Sequence, residues 1–413
     1  METFTRKQNS IRSKSRIIST KTVLFLLALL IVLTLAGCSN NDLKTGSTQV
    51  ATQSFTPLWG PYLTGTTSDS TIVSIKTDTA STVTVDYAPE AYYLANNSYN
   101  ISATDSISAQ LHHITLSRLE PGTTYHYQVS WDGKSSGDWH FTTFPESGSF
   151  TFIVYGDTQD ELPNFSQNER HKLVADRIAQ EEDVFFVINT GDLVNDGNDT
   201  ANWDRYFAAT RTMGAQMAVY PSHGNHDESA LYYDIFKVSP YYSFDCANAH
   251  FTVLDTIDSQ LDQTDWLKND LANEQDWKFV FCHYPIYTSD PNHFGGWENF
   301  KDDWEEIFID KGVNAVWNGH IHAYERYLED NIMYMVMGIG GGPYSTLSST
   351  KYTGYQNSLE RSLGYAKVTI DPDAGTAKVQ IIRVADISID GKEVTLLPKG
   401  TVYETFVLKA PLE

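Results

Sequence analysis

Two histidines that are separated by one residue, His320 and His322, follow directly after the apolar segment Val313–Trp317. Side chains alternate between the two faces of a β-strand, so residues at this spacing can point in the same direction. Imidazole is a frequent metal ligand, and the pair could therefore bind a metal ion. A complete site would need further ligands from elsewhere in the chain.

Polar residues also follow four other apolar segments. These segments are "FIVYG", "FFVINTG", "MAVYPSHG" and "FVFC", and the polar residues after them are Asp157, Asp192, Asn225, His226 and His283. Glycine stands directly before the polar residue at most of these exits, where it would allow a sharp turn. Side chains at the carboxyl ends of strands build the ligand sites of α/β folds. Two carboxylates, one amide oxygen and three imidazoles suit a pair of divalent ions.

The segments that must position these residues follow two patterns. From residue 149 onward, strand-like runs such as "FTFIVYG" and "VFFVIN" alternate with amphipathic stretches such as "NERHKLVADRIAQEE". This alternation predicts an α/β domain over residues 149–413, with antiparallel strands at its end. Residues 55–146 instead alternate apolar and polar residues between turn clusters, which predicts an all-β domain. Within it, Leu119–Tyr127 resembles the tyrosine-corner segment of fibronectin type III domains and predicts a small β-sandwich.

The charge of the chain argues against nucleic acid as a partner. The 413 residues carry a formal net charge of −23. The first 37 residues hold more basic than acidic side chains, so the rest of the chain is more acidic still. Such a surface repels the phosphates of DNA and RNA over long range.

The amino-terminal segment has the pattern of a secretion signal. Basic residues precede the apolar run Val23–Ala36, which is too short for a comfortable transmembrane helix and suits a signal peptide. The run leads into Leu35-Ala36-Gly37-Cys38, which resembles the bacterial lipobox. We therefore expect a lipoprotein signal peptide over residues 1–37, a lipid on Cys38 and a flexible tether over residues 38–54. This predicts a lipid-anchored protein on the extracytoplasmic face of a bacterial membrane, either the cell membrane or the periplasmic side of an outer membrane.

The ordered set of blocks is similar to that of a known family. GD, GDxx, GNH, a single histidine after a strand, and GHxH follow one another as in calcineurin-like metallophosphoesterases. The stretch "GHIHAYER" and the preceding β-domain resemble the purple acid phosphatase branch, and the resemblance runs from Phe55 to the C-terminus. It implies a four-layer αββα metallophosphoesterase sandwich, preceded by an all-β fibronectin III-like sandwich.

The resemblance implies a role for each residue at a matching position. Asp192 would bridge two divalent metal ions. One ion would also be bound by Asp157 and His322, and the other by Asn225, His283 and His320. The ions implied are Fe, Mn or Zn.

Three residues would face the substrate. Asn225 would contact it from the metal centre, and His226 would donate to a phosphoryl oxygen or to the leaving group. His293, in "SDPNHFGGW", falls where related phosphatases place a phosphate-facing loop histidine, although an exposed loop histidine is the alternative.

The chain departs from the purple acid phosphatase pattern at two positions. Asn195 stands where the purple enzymes have a tyrosine, so we expect no charge-transfer colour and less preference for ferric iron. Gln159 stands where many members of the superfamily have a histidine. Its amide oxygen could bind the metal, or the side chain could contact a bound water.

Other conspicuous residues have simpler explanations. We expect Asp255 and Glu325 to brace loops, and we place His171 on the polar face of a helix. Cys246 and Cys282 could form a disulfide outside the cytoplasm or remain buried free thiols.

The function implied by the resemblance is the hydrolysis of phosphate monoesters, as by an acid phosphatase, with a metal-bound hydroxide as the nucleophile. Two ions about 3.5–4 Å apart would supply the hydroxide near neutral pH and offset the charge of the phosphoryl group. The acidic surface favours small phosphate esters as substrates. A phosphodiesterase acting on cyclic nucleotides or other diesters is the alternative. A third possibility is an inactive, lipid-tethered binding protein, against which the complete ligand set argues.

Overall fold

The computed structural model describes residues 55–258 and 261–409, which lie in one compact unit. The predicted signal peptide, Cys38 and the tether lie outside the described residues. Within the described residues, no helix has the length and apolar character that crossing a membrane requires.

The amino-terminal part is a β-domain with one short helix. Its elements are β1 (Trp59–Thr64), β2 (Ser70–Pro89), α1 (Glu90–Asn96), β3 (Ile101–Ser117), β4 (Thr124–Trp131), β5 (Lys134–Ser135) and β6 (Trp139–Thr142). All pairings are antiparallel, and the long strand β2 pairs with β1, β3 and β4. The hydroxyl of Tyr125 accepts a hydrogen bond of 2.9 Å from the backbone N–H of Glu120, as in a tyrosine corner. The all-β prediction for this part is confirmed.

The remaining elements alternate between strands and helices. They are β7 (Phe150–Tyr155), α2 (His171–Ile178), β8 (Val184–Asn189), α3 (Thr200–Gln216), β9 (Ala218–Pro221), α4 (Ala230–Phe236), β10 (Tyr242–Cys246), β11 (Ala249–Val253), α5 (Thr264–Asp270), β12 (Trp277–Phe281), α6 (Glu298–Lys311), β13 (Ala315–Asn318), β14 (Tyr324–Glu329), β15 (Ile332–Met337), β16 (Tyr355–Leu359), β17 (Ser362–Asp371), β18 (Thr376–Ile387), β19 (Val394–Leu396) and β20 (Val402–Lys409).

These strands form two seven-stranded mixed sheets. The first has the order β19-β18-β17-β7-β8-β9, with β20 beside β18, and the second has the order β10-β11-β12-β13-β15-β14-β16. The pairs β7-β8 and β8-β9 are parallel, as are β11-β12 and β12-β13. Within each group the carboxyl ends of the strands therefore meet at one edge of the sheet, which is the arrangement that brings the predicted ligands together.

The core between the two sheets is largely aromatic. Phe152 and Phe186 of the first sheet meet Phe251 of the second edge-on, with ring centroids 5.1 Å apart in both pairs. Helices α2, α3 and α4 cover the outer face of the first sheet, and α5 and α6 cover the outer face of the second. The predicted four-layer αββα sandwich is confirmed.

Two details differ from, or complete, the expectations from sequence. His171 is fully buried, with its Nε2 3.2 Å from the hydroxyl of Tyr155, so the placement on a polar helix face is wrong. The reason is that the buried residues of α2 recur at helical spacing, and His171 is the first of them. The two cysteines within the described range, Cys246 and Cys282, are buried free thiols.

Candidate metal centre

Three of the predicted ligands sit in an unusual backbone conformation. Asp157, Asp192 and His320 follow β7, β8 and β13 and have φ angles of 57°, 53° and 68°. Residues other than glycine rarely adopt this left-handed region, and such strain tends to be found at functional sites. Backbone hydrogen bonds hold the turns, including one of 2.9 Å from Asp157 N–H to the carbonyl of Gly191.

The glycines before the ligands mainly provide space. These glycines are Gly156, Gly191, Gly224 and Gly319. Only Gly191 has a positive φ, so the expectation that glycine itself would make the sharp turn is wrong for the other three. A Cβ on Gly224 would lie 2.1 Å from the backbone nitrogen of Asp192, and one on Gly191 would lie 2.4 Å from Nδ1 of His283. Any larger residue would push the ligands apart.

The ligand side chains converge in two groups that share one carboxylate. The first group is Asp157, Asp192 and His322, and the second is Asp192, His283 and His320. Within each group the potential ligand atoms lie within 4.8 Å of one another. Asp192 thus occupies the position of a carboxylate that can bridge two ions.

Asn225 and Gln159 each join one of the groups. Oδ1 of Asn225 lies 3.1 Å from Nε2 of His283, so its amide oxygen faces the second group. Nε2 of Gln159 lies 3.2 Å from both Oδ2 of Asp192 and Nε2 of His322. The end of the Gln159 side chain therefore lies among the ligand atoms of the first group.

Backbone carbonyls orient two of the histidines. Nδ1 of His283 donates to the carbonyl of Thr190 at 2.9 Å, and Nδ1 of His322 donates to the carbonyl of Pro343. In each ring Nε2 is then the atom that faces the ligand group, and it would be the atom that binds a metal ion. Outer partners of this kind are typical of histidines that bind metals.

The charges and unsatisfied atoms of the site fit bound cations. Burial alone would raise the pKa of Asp192, but His283 and its hydrogen bond hold that pKa well below its usual range. Burial lowers the pKa of His320 to about 3, which keeps its imidazole neutral and able to bind a metal. Oδ2 of Asp157 and Oε1 of Gln159 are buried without a hydrogen-bond partner in the described part of the chain. Buried polar atoms without partners are costly, and a cation would satisfy them.

His226 stands at the opening of the site. Its backbone N–H donates to Oδ1 of Asp192 at 3.0 Å, and its Nδ1 lies 2.8 Å from the carbonyl of Asn195. The partly exposed side chain lines an open cavity of about 600 Å³, together with Asn195, Asn225 and Glu228. His226 therefore lies beside the ligands without being one of the groups' ligand residues.

His293 lies beside the second group of ligands. Its ring is 41% exposed, and its Nδ1 is 3.1 Å from Oδ2 of Asp290. The ring centroid lies 5.5 Å from that of His320. The predicted loop histidine is thus close to the second group of ligands.

Asp227 is a structural residue of the site that sequence reasoning missed. It is fully buried, and its carboxylate accepts hydrogen bonds from the backbone of Leu193, Val194 and Gly224. Burial and the nearby Asp192 raise its pKa to about 7. Its position directly after the GNH block in the sequence could have identified Asp227 as part of the site. Asp255 and Glu325 accept hydrogen bonds from loop backbone N–H groups, in agreement with the bracing role expected of them.

Comparison with known families matches this geometry. Residues 137–324 match the family model described as calcineurin-like phosphoesterase, and residues 60–143 match the purple acid phosphatase N-terminal domain. Residues 137–324 are therefore similar to a calcineurin-like phosphoesterase domain, and the preceding β-domain is similar to a purple acid phosphatase N-terminal domain.

The curated relatives that the chain matches include plant enzymes. The chain is 27% identical to purple acid phosphatase 22 of Arabidopsis thaliana over 53% of its length and 54% of the relative's. It is also 27% identical to phosphoenolpyruvate phosphatase of Allium cepa, over 63% of its length and 62% of the relative's. The chain thus spans about half to two thirds of the length of these relatives.

Solved structures agree on the fold. A purple acid phosphatase from yellow lupin seeds aligns with a TM-score of 0.69 at 17% identity, covering 84% of this chain and 74% of the lupin chain. PhoD aligns with a TM-score of 0.65 at 14% identity, covering 87% of this chain and 92% of that chain. At these identities the likeness shows the fold alone.

Proposed function

We propose that the protein hydrolyses phosphate monoesters at a centre of two divalent metal ions. The observation that carries the proposal is the pair of ligand groups sharing Asp192. The names of the relatives, purple acid phosphatase and phosphoenolpyruvate phosphatase, support a monoester as the substrate class.

In this proposal, one set of residues binds the metal ions and a separate residue transfers a proton. Asp157 and His322 would hold one ion, Asn225, His283 and His320 the other, and Asp192 both. The amide NH2 of Gln159 faces the first group and would contact a water bound to that ion. Two divalent ions held by these residues would make hydroxide available near neutral pH and would offset the charge of the phosphoryl oxygens. The protein's own contribution is to fix these ligands on strand ends in a buried site, where electrostatic interactions are strong.

His226 is proposed to assist the leaving group. Its Nδ1–H is held by the Asn195 carbonyl, so in the imidazolium form Nε2 carries the second proton and would donate it to the departing oxygen, leaving a neutral imidazole. The side chain lines the open cavity and is not one of the residues of the ligand groups, which supports a role beside the ester's alcohol. His293, beside the second group of ligands, would contact a phosphoryl oxygen.

The metal ions are proposed to be Mn, Zn or ferrous Fe. Asn195 presents its backbone oxygen to His226, and no phenolate stands at this position to give a charge-transfer band. The purified protein should therefore be colourless.

We further propose that the enzyme acts on small phosphate esters at the extracytoplasmic face of a bacterial membrane, anchored by a lipid on Cys38. The support is the lipobox-like sequence before Cys38 and the acidic composition, which disfavours nucleic acid and other polyanions.

The test is a turnover panel of phosphate monoesters and diesters with Mn²⁺, Zn²⁺ and Fe²⁺. The proposal predicts a higher kcat/KM for small monoesters and no activity after chelation. A preference for diesters would instead favour the phosphodiesterase alternative. Absence of turnover with every metal, in a protein that binds two ions, would contradict an enzymatic function.

A further inference from the structure

Three stacked rings brace His320. Tyr284 stacks on Trp297 with ring centroids 4.5 Å apart, and Trp297 stacks on His293 with centroids 4.4 Å apart. The His320 ring lies 4.6, 5.0 and 5.5 Å from Tyr284, Trp297 and His293, at interplanar angles of 77°, 82° and 71°. A ring nearly perpendicular to every member of a stack meets their edges. His320 is thus supported along one side by all three rings.

The position of Trp297 is fixed by its loop. Its backbone N–H donates to the carbonyl of Pro285 at 3.0 Å, two residues after the ligand His283. The preceding Gly296 has a φ of 91°, and a Cβ there would lie 2.1 Å from the carbonyl oxygen of Ile286. Only glycine allows this close approach. The loop is therefore tied to the same strand exit that carries His283.

The other end of the loop is anchored as well. The buried carboxylate of Glu325 accepts hydrogen bonds from the Thr288 hydroxyl and from the backbone of Ser289, the latter at 2.9 Å. Asp290 accepts a hydrogen bond of 3.1 Å from the backbone N–H of His293 and lies 3.1 Å from its Nδ1. This arrangement turns Nε2 of His293 away from Asp290.

We propose that the loop 288–297 couples phosphate binding at His293 to metal binding at His320. A phosphate held by His293 immobilises the ring stack, and the stack in turn holds His320 in the orientation that suits its ion. Trp297 and Tyr284 are positioning residues, because they would act on the ion through the ring of His320. Coupling is reciprocal, so phosphate should raise the affinity for the ion to the same extent that the ion raises the affinity for phosphate. The inference rests on the proposed metal centre.

The experiment is a titration of the metal-free, full-length protein with Mn²⁺, in competition with a chelating dye, with and without inorganic phosphate. Trp297→Leu should weaken one of the two Mn²⁺ affinities about tenfold, the lower end of the effect of outer partners on metal sites. Trp297→Phe keeps a ring in the stack and should retain most of that affinity. Phosphate should strengthen Mn²⁺ binding in the wild type but not in Trp297→Leu.

Two further variants separate this effect from general damage. His293→Ala changes a partly exposed side chain, and it should abolish the effect of phosphate while the protein stays folded. Phe294→Leu alters the same loop at an exposed ring that contacts Tyr352, and it should change nothing.

The outcomes distinguish this inference from the proposed function. Equal losses in Trp297→Leu and Trp297→Phe, unchanged affinity in Trp297→Leu, or a phosphate effect that survives in His293→Ala would overturn the coupling. A wild-type protein that binds fewer than two Mn²⁺ ions would instead contradict the metal centre itself.

Discussion

Replacing His226 by alanine should separate metal binding from chemistry. The contact between His226 and Asp192 is made by the backbone N–H at 3.0 Å, and the backbone carbonyl of His226 accepts a hydrogen bond from Gly197 at 2.8 Å. Alanine keeps both bonds. The variant should therefore retain two metal ions and lose only the imidazole that lines the cavity.

The expected loss of rate follows from the role of the imidazole. A positioned general acid contributes about 10²–10⁴-fold, which corresponds to about 3–5 kcal/mol of transition-state stabilisation. The loss should be close to the full range for an alkyl phosphate, whose alkoxide leaving group needs a proton. It should be smaller for a nitrophenyl phosphate, because nitrophenolate departs readily without one.

The assay is kcat for both esters, measured beside metal content, in His226→Ala and in the control His140→Ala. His140 is an exposed histidine of the β-domain, and its removal should leave both rates unchanged. Equal slowing of the two esters by His226→Ala, or loss of metal, would refute the reasoning, since His226 would then position the substrate or bind an ion.

Three further perturbations have defined outcomes. Gly224→Ala places a Cβ 2.1 Å from the backbone nitrogen of Asp192 and should displace that ligand, so elemental analysis should find less bound metal. The control Gly214→Ala in α3, where the nearest atom to a Cβ is 3.4 Å away, should retain the metal. Burial alone would lower the pKa of His250, but hydrogen bonds to Asp245 and Asp270 raise it to about 9. The protonated His250 and its two aspartates therefore stabilise the fold at pH 6, and this contribution is lost as the pH rises through 9. In urea unfolding, His250→Gln should lower the free energy of unfolding by about 1–2 kcal/mol at pH 6 and by little at pH 10. The loss at pH 6 is smaller than the roughly 3 kcal/mol that corresponds to the pKa change, because Asp245 is open to solvent. Cys38→Ala should leave the precursor unprocessed and the protein absent from membranes washed with high salt; a variant that still fractionates with membranes at mature size would show that the lipobox interpretation is wrong.

Part of the convergence of the ligands could be predicted from the strand pattern. Parallel strands place their carboxyl ends at one edge of a sheet, so the residues after β7 and β8 had to lie close together, as had those after β12 and β13. The two pairs belong to different sheets, and the packing of the two sheets brings them to one site. The shared position of Asp192 agrees with the role implied by the family resemblance. The four layers were likewise predictable from the alternation of strand-like and helix-like segments.

The backbone conformation of the ligands could not be predicted. Local propensity disfavours a positive φ at Asp157, Asp192 and His320, and only the surrounding hydrogen bonds and packing enforce it. The stack of Tyr284 on Trp297 depends on how a loop with two glycines of positive φ folds back, which has no periodic signal. His171 is a different case, because the helical spacing of the buried residues in α2 was present in the sequence.

The most direct test of the central claim is the metal stoichiometry of three proteins: the wild type, Asp192→Asn and His322→Ala. Asp192 belongs to both ligand groups, whereas His322 belongs to one. The wild type should bind two divalent ions per chain. Asp192→Asn should weaken both, and His322→Ala should weaken one and spare the other. A single ion in the wild type, or an Asp192→Asn variant that loses one ion and keeps the other at full affinity, would contradict a binuclear centre bridged by Asp192.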